Sequence, residues 1–117
     1  MQLTEITYDE ARPVDSYGPG FFRVDGKIHQ GAMIITATEV RAWGGFDDVE
    51  ALLALAGQID VLFVGTGREI AYLPRGLRDA LEAAGLGVEA MDTPAACRTY
   101  NVILSEGRRI AAAVLPV

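Results

Sequence analysis

The chain carries one cysteine, Cys97, and one histidine, His29, so any thiol or imidazole chemistry must come from that pair. Cys97 falls in the first two turns of an expected helix, where the positive end of the helix dipole lowers a thiol pKa and makes a nucleophile. Its row with Asn101 and Leu104 places it instead on a face packed against a sheet, where a thiol is inert. His29 lies in an expected hairpin strand with no acid placed to orient it, so a Cys/His dyad is not expected. The same two residues cannot make a Cys/His metal cluster, and a lone cysteine cannot close an intramolecular disulfide, which fits a reducing, cytoplasm-like compartment. Ser16 and Ser105 lack the Gly-x-Ser-x-Gly elbow of a nucleophilic serine. Asp47-Asp48 and Asp9-Glu10 read as a helix cap and a solvated segment rather than acid/base pairs. No catalytic residue, metal or cofactor is expected.

Two short segments have the composition of an anion site. Gly65-Thr66-Gly67 follows an apolar run, and glycines there let backbone N–H groups approach a phosphate or carboxylate. It is not a dinucleotide fingerprint, which would want a glycine where Ile70 stands and a helix opening at once. Nor is it a P-loop, since the one lysine, Lys27, lies elsewhere. Asp92-Thr93 ends a second run and opens a helix whose free N–H groups favour an anion. If the two runs are neighbouring strands whose helices leave to opposite faces, a crevice opens between their carboxyl ends, with Arg98 and Asn101 along its wall. The bland alternatives are a strand-ending turn at 65–67, an N-cap at Asp92 or Thr93, a solvated Arg98 and a backbone-bonded Asn101.

Two other features suit a partner protein. Glu106-Gly107-Arg108-Arg109 is either an arginine docking point for an acidic partner or a surface turn in which Glu106 pairs with an arginine. Trp43, with Phe46 nearby, is either an exposed anchor or a cover over the core.

The elements that must position these residues follow from the apolar pattern. Residues 21–24 and 27–35 flank Asp25-Gly26, which supplies the positive φ angles of a two-residue type I′ hairpin turn. Tyr17-Gly18-Pro19-Gly20 is a turn ahead of it. Asp47 and Glu50, before Ala51, Leu52, Leu55 and Ala56 and the stop at Gly57, have the spacing of a capped amphipathic helix. The continuous apolar run 61–64 is a strand covered on both faces. Pro74 suits a first helical position, Leu77, Leu81 and Ala84 share a helical face, and Gly85 ends it. Residues 86–91 form a strand, Asp92-Thr93-Pro94 start a helix running to about Ser105, and 110–115 form the last strand. Strand, helix, strand, helix, strand predicts a parallel βαβαβ unit, extended by the N-terminal hairpin.

Length and charge limit the rest. The 117 residues, 50% of them apolar, suffice for one domain, 1–117, and are too apolar for disorder. Ten basic residues against 16 acids, a net charge of −6, leave no basic stripe for nucleic acid or an anionic membrane. The start, Met1-Gln2-Leu3-Thr4-Glu5, has no basic n-region ahead of an apolar stretch, so neither a signal nor a transit peptide is expected. No apolar run reaches the roughly 18 residues of a membrane span. The expected setting is the cytoplasm, without membrane insertion.

Tyr17-Gly18-Pro19-Gly20-Phe21, Val24-Asp25-Gly26, Trp43, Val64-Gly65-Thr66-Gly67, Met91-Asp92-Thr93 through Ala96, Arg98-Thr99-Tyr100-Asn101 and Glu106-Gly107-Arg108-Arg109 occur in an order that resembles one family. It is the small single-domain family that includes the mitochondrial NADH:ubiquinone oxidoreductase (complex I) assembly factor 3 and bacterial and archaeal proteins. One departure is Ala37-Thr38, where that family often carries a proline. The resemblance implies an α/β, three-layer fold with a mixed central sheet of about five strands, one antiparallel to the others, and helices on both faces. Two functions are expected in turn: a non-enzymatic domain that binds a partner protein through a surface including Trp43, Phe46, Arg108 and Arg109, or a small-molecule or anion-binding protein, with weak enzymatic activity at most, using loops 65–67 and 92–93.

Overall fold

A computed structural model describes residues 12–117 of the chain. The segment 1–11, with Asp9-Glu10, lies outside the described residues. The strands are β1 (Ser16–Gly18), β2 (Phe21–Val24), β3 (Lys27–Gln30), β4 (Met33–Thr36), β5 (Val40–Ala42), β6 (Val61–Gly65), β7 (Gly87–Met91) and β8 (Ile110–Val114). The helices are α1 (Val49–Leu53), α2 (Leu77–Ala83) and α3 (Thr93–Leu104), with one 3₁₀ turn, Gly45–Asp47.

The main sheet has the order β5-β4-β8-β6-β7. β6 pairs in parallel with both β7 and β8, while β4 runs antiparallel to β8 and to β5. The parallel βαβαβ half is therefore as expected, with β4 the single reversed strand.

Period-two alternation divides the side chains between two cores. Met33 and Ile35 of β4, Phe63 of β6 and Ile110, Ala112 and Val114 of β8 face one side, where they meet Ala96, Cys97, Tyr100 and Leu104 of α3. Ile34, Leu62, Val64, Ala111 and Ala113 face the other side and meet Leu52 of α1 and Leu77 and Leu81 of α2. All five residues of β8 are buried, which explains the unbroken apolar run at 110–114.

Asp25 (φ 54°) and Gly26 (φ 77°) make the expected hairpin turn. The second arm, expected to run unbroken over 27–35, breaks at Gly31 (φ 79°). β3 stays with β1 and β2 in a separate antiparallel sheet, whose Phe22 and Val24 cover the α3-side core, and only β4 crosses to the main sheet. β1 and its pairing with β2, on the segment expected to be turn alone, were not anticipated.

Two helix starts also differ from expectation. Asp47, expected to cap the first helix, ends the 3₁₀ turn, and α1, only five residues long, starts after Asp48, whose side chain accepts from Gly44 N–H at 3.0 Å instead of capping it. Pro74 precedes the helix, which begins at Leu77 after Gly76 (φ 83°), because Arg75 and Gly76 form a turn closed by Leu77 N–H donating to Pro74 O at 3.1 Å. By contrast, α3 begins as expected: the Asp92 carboxylate caps the Ala95 N–H at 2.8 Å, and Pro94 lies in the first turn, where an N–H would have no helical partner.

Candidate functional site

β6, β7 and β8 all end at one rim, and the two expected loops meet there. Thr66 N–H donates to Met91 O at 2.9 Å, Thr93 N–H to Gly67 O at 2.8 Å and Gly67 N–H to the Thr93 hydroxyl at 2.9 Å. That hydroxyl in turn donates to Leu115 O at 2.6 Å, and Leu115 N–H donates to Gly65 O at 2.9 Å. Thr93 is 0% exposed. The backbone N–H groups of Gly67 and Thr93 are thus bound to protein oxygens rather than aimed at an open crevice. Gly65 is required by this closeness, since a Cβ there would lie 2.8 Å from the Thr93 hydroxyl and 3.0 Å from its Cα. The loops form a latch that joins three strand ends.

The expected wall residues separate. Arg98 is exposed on α3. Asn101, three residues on, accepts from Val14 N–H at 2.8 Å and donates to Val14 O at 2.9 Å, tying down the chain ahead of β1. Tyr100 donates to Arg12 O at 3.0 Å in the same seam, and burial pushes its phenol pKa upward. Cys97 is buried, and desolvation pushes its thiol up to about 11, the opposite of an activated nucleophile.

Of the expected partner anchors, Trp43 is 5% exposed and packs edge-on against Phe46 at 5.9 Å, with its indole N–H on Asp48 O. It covers the α1/α2-side core rather than presenting an anchor, because Asp48 satisfies its one polar group inside the fold. Phe46 is half-buried beside it. Arg108 and Arg109 are exposed at the amino ends of the strands. Arg109 bonds Gly57 O at 3.0 Å and pairs with Asp60 at 3.6 Å, not with the Glu106 that the surface-turn alternative offers it.

A different surface is built along the outer edge of β7. Residues 66–76 connect β6 to α2 and hold Ile70 at 66% and Tyr72 at 100% exposure. With Leu73, Pro74, Arg75, Arg78 and Ala90 they line an open cavity of about 620 Å³. The Thr66 hydroxyl shapes the connection by donating to Glu69 O at 2.8 Å and accepting from Ala71 N–H at 3.0 Å. Sequence reasoning missed this surface. The available signal was length: strand-to-helix connections in α/β units usually run about 2–6 residues, and this one is longer and carries apolar residues. Among the described residues no group of three or more His, Cys, Asp or Glu is placed to hold a metal ion, and no helix is long and apolar enough to cross a membrane.

Fold and surface together define a mixed α/β domain whose strand ends are latched shut and whose groove lies at the sheet edge. Residues 14–115 match the family described as "Protein of unknown function (DUF498/DUF598)", and the chain belongs to it. An uncharacterized protein of Rhodobacter capsulatus is 55% identical over 117 residues, all of this chain and 94% of that one. The NADH dehydrogenase [ubiquinone] 1 alpha subcomplex assembly factor 3 of Danio rerio is 36% identical over 108 residues, 86% of this chain and 62% of that one. Among solved structures, an outer membrane protein from Bartonella henselae superposes with a TM-score of 0.83 at 34% identity, over 94% of this chain and 98% of that one. The family thus includes assembly factor 3 proteins, as the sequence resemblance implied, and the chain spans 60–67% of the length of the vertebrate ones it matches.

Proposed function

We propose that this chain is a protein-docking domain with no turnover of its own, working in the cytoplasm like an assembly factor, and that its docking surface is the groove at residues 70–76. The observation that carries this reading is the pairing of a fully exposed Tyr72 with Ile70 over a cavity of about 620 Å³. Single exposed apolar residues are ordinary, but a grouped aromatic and aliphatic pair at a concave edge is what interface anchors look like. The relatives named as assembly factors support a protein as the occupant. The latch at 65–67 and 92–93 speaks against the anion-binding alternative, since the amide donors of Thr66, Gly67 and Thr93 are already taken. An unpaired Cys97 supports the reducing compartment. Trp43 and Phe46 then serve the core, and the exposed Arg108, at the other end of the sheet, is a control position.

The test is affinity capture from the native host, followed by titration of the purified captured protein. An Ile70→Ser, Tyr72→Ser pair should weaken that complex at least thirtyfold, the scale of a hot spot of about 2 kcal/mol, while Arg108→Ala leaves it within threefold. Failure of the wild type to bind any purified candidate, or steady turnover of a substrate by the purified chain, overturns the reading.

A further inference from the structure

β7 is an edge strand of the main sheet. In a parallel ladder the N–H and C=O of one residue point to the same side, and successive residues alternate. Gly87 N–H bonds Asp60 O and Met91 O accepts from Thr66 N–H, so Gly87, Glu89 and Met91 face β6. Val88 and Ala90 therefore face outward. The outward Val88 carbonyl is taken by the Arg78 guanidinium at 2.6 Å. Arg78 thereby blunts one half of the edge, as native sheets commonly blunt theirs. The N–H and C=O of Ala90 have no partner among the described residues, and Ala90 lines the cavity beneath Ile70 and Tyr72.

Charge narrows the occupant further. Arg75, on the cavity wall, makes no ion pair or hydrogen bond among the described residues, whereas Arg78 also lies 3.8 Å from Glu82. With Arg78 held between the Val88 carbonyl and Glu82, Arg75 is the guanidinium on the lining left to meet a ligand, in a chain whose net charge is −6. An unengaged guanidinium on an otherwise acidic protein selects for a carboxylate.

We propose that the open edge of β7 at Ala90 captures an extended acidic segment of a partner protein by strand addition. An incoming residue exchanges backbone hydrogen bonds with Ala90, an apolar side chain seats against Tyr72 and Ile70, and a neighbouring Asp or Glu meets Arg75. This deepens the docking reading and rests on it.

The experiment pans a random octapeptide display library against the full chain, with counter-selection on Ala90→Pro. That proline removes only an outward N–H, a position where edge strands tolerate it, and a thermal melt checks its fold. Enriched peptides should alternate apolar and polar residues with Asp or Glu, and their synthetic forms should shift the amide resonances of Val88 and Ala90. They should bind Arg75→Glu at least tenfold more weakly, with affinity for that variant restored when the peptide acid is changed to lysine. Tyr72→Ser, at a fully exposed position, gives a second loss that misfolding cannot mimic. The proposal is overturned by no enrichment, by peptides that ignore Ala90→Pro or carry no acid, by sedimentation of the chain with phosphatidylglycerol vesicles through Tyr72, or by a dimer that Ala90→Pro dissociates. A captured native partner that binds Ala90→Pro as well as wild type overturns strand addition while leaving the docking reading standing; no captured partner sinks both.

Discussion

Replacing Thr93 by valine tests the latch, because the two side chains have nearly the same shape and differ by the hydroxyl. In the wild type that hydroxyl accepts from Gly67 N–H at 2.9 Å and donates to Leu115 O at 2.6 Å, at a residue with no exposed surface. Valine leaves a buried donor and a half-buried acceptor without this partner. A buried unsatisfied group costs about 1–3 kcal/mol, and Leu115 O at the half-buried end falls in the lower part of that range, so the variant should lose about 2–4 kcal/mol. At about 4 °C per kcal/mol for a domain of this size, Tm should drop by about 8–16 °C. Thr93→Ser keeps both bonds and loses one buried methyl, for about 1 kcal/mol. Urea melts of the three proteins read the difference directly. The reasoning is refuted if valine stays within about 0.5 kcal/mol of wild type, or if serine is the more damaging of the two, since either result would mean that the hydroxyl does not join the strand ends.

Gly65→Ala should cost about 1–3 kcal/mol by pressing a Cβ onto the Thr93 backbone at 3.0 Å, read as a lower urea midpoint at unchanged slope. Asn101→Ala should free the Val14 backbone, raising amide exchange at Val14 at least tenfold while exchange in β6 changes far less. Alkaline pH should destabilise the fold. Cys97 is raised from 9.0 to about 11, so above pH 9 the unfolded chain has released a proton that the folded chain keeps. The unfolded state then binds fewer protons, and stability falls as pH rises from about 9 to about 11, by about 2–3 kcal/mol from this thiol. Tyr100, also raised, adds to the loss above about pH 10. Urea melts across that range should show a smaller loss for Cys97→Ala, and equal losses in both proteins would contradict a buried thiol.

What the sequence made legible was whatever a local rule controls. Alternation and continuous apolar runs marked β6 and β8, Asp25-Gly26 marked a turn that only positive φ allows, and Asp92 with Pro94 marked the start of α3. What stayed hidden depended on partners distant in sequence. Asp47, three residues before Glu50, has the type and spacing of a cap, yet it falls in a 3₁₀ turn, and Asp48, which stands at the helix start, turns its carboxylate to Gly44 N–H and its carbonyl to the Trp43 indole. Gly31 looks like one residue of a long strand until two sheets compete for the residues on either side of it. Arg98 and Asn101, three apart on one helix, were read as one wall, but Asn101 turns to a segment 87 residues away.

The same division explains why the candidate site moved from the strand ends to the sheet edge. Glycines and a capped helix at carboxyl ends of parallel strands mark a place where an anion can bind only if the N–H groups remain unbonded, and here one threonine side chain consumes the space between them. Closing that crevice frees the connection 66–76 from lining it. The Thr66 hydroxyl then turns the chain outward through Glu69 and Ala71, which lays Ile70 and Tyr72 beside β7 instead of over the rim. The latch and the groove are thus two results of one local choice. Loosening the first with Thr93→Val should therefore also weaken peptide binding at the second, whereas Asn101→Ala, which loosens the far side of α3, should not. Titrating one selected peptide against both variants below their melting transitions decides it: equal loss in the two would show that the groove senses overall stability and that the latch does not position it.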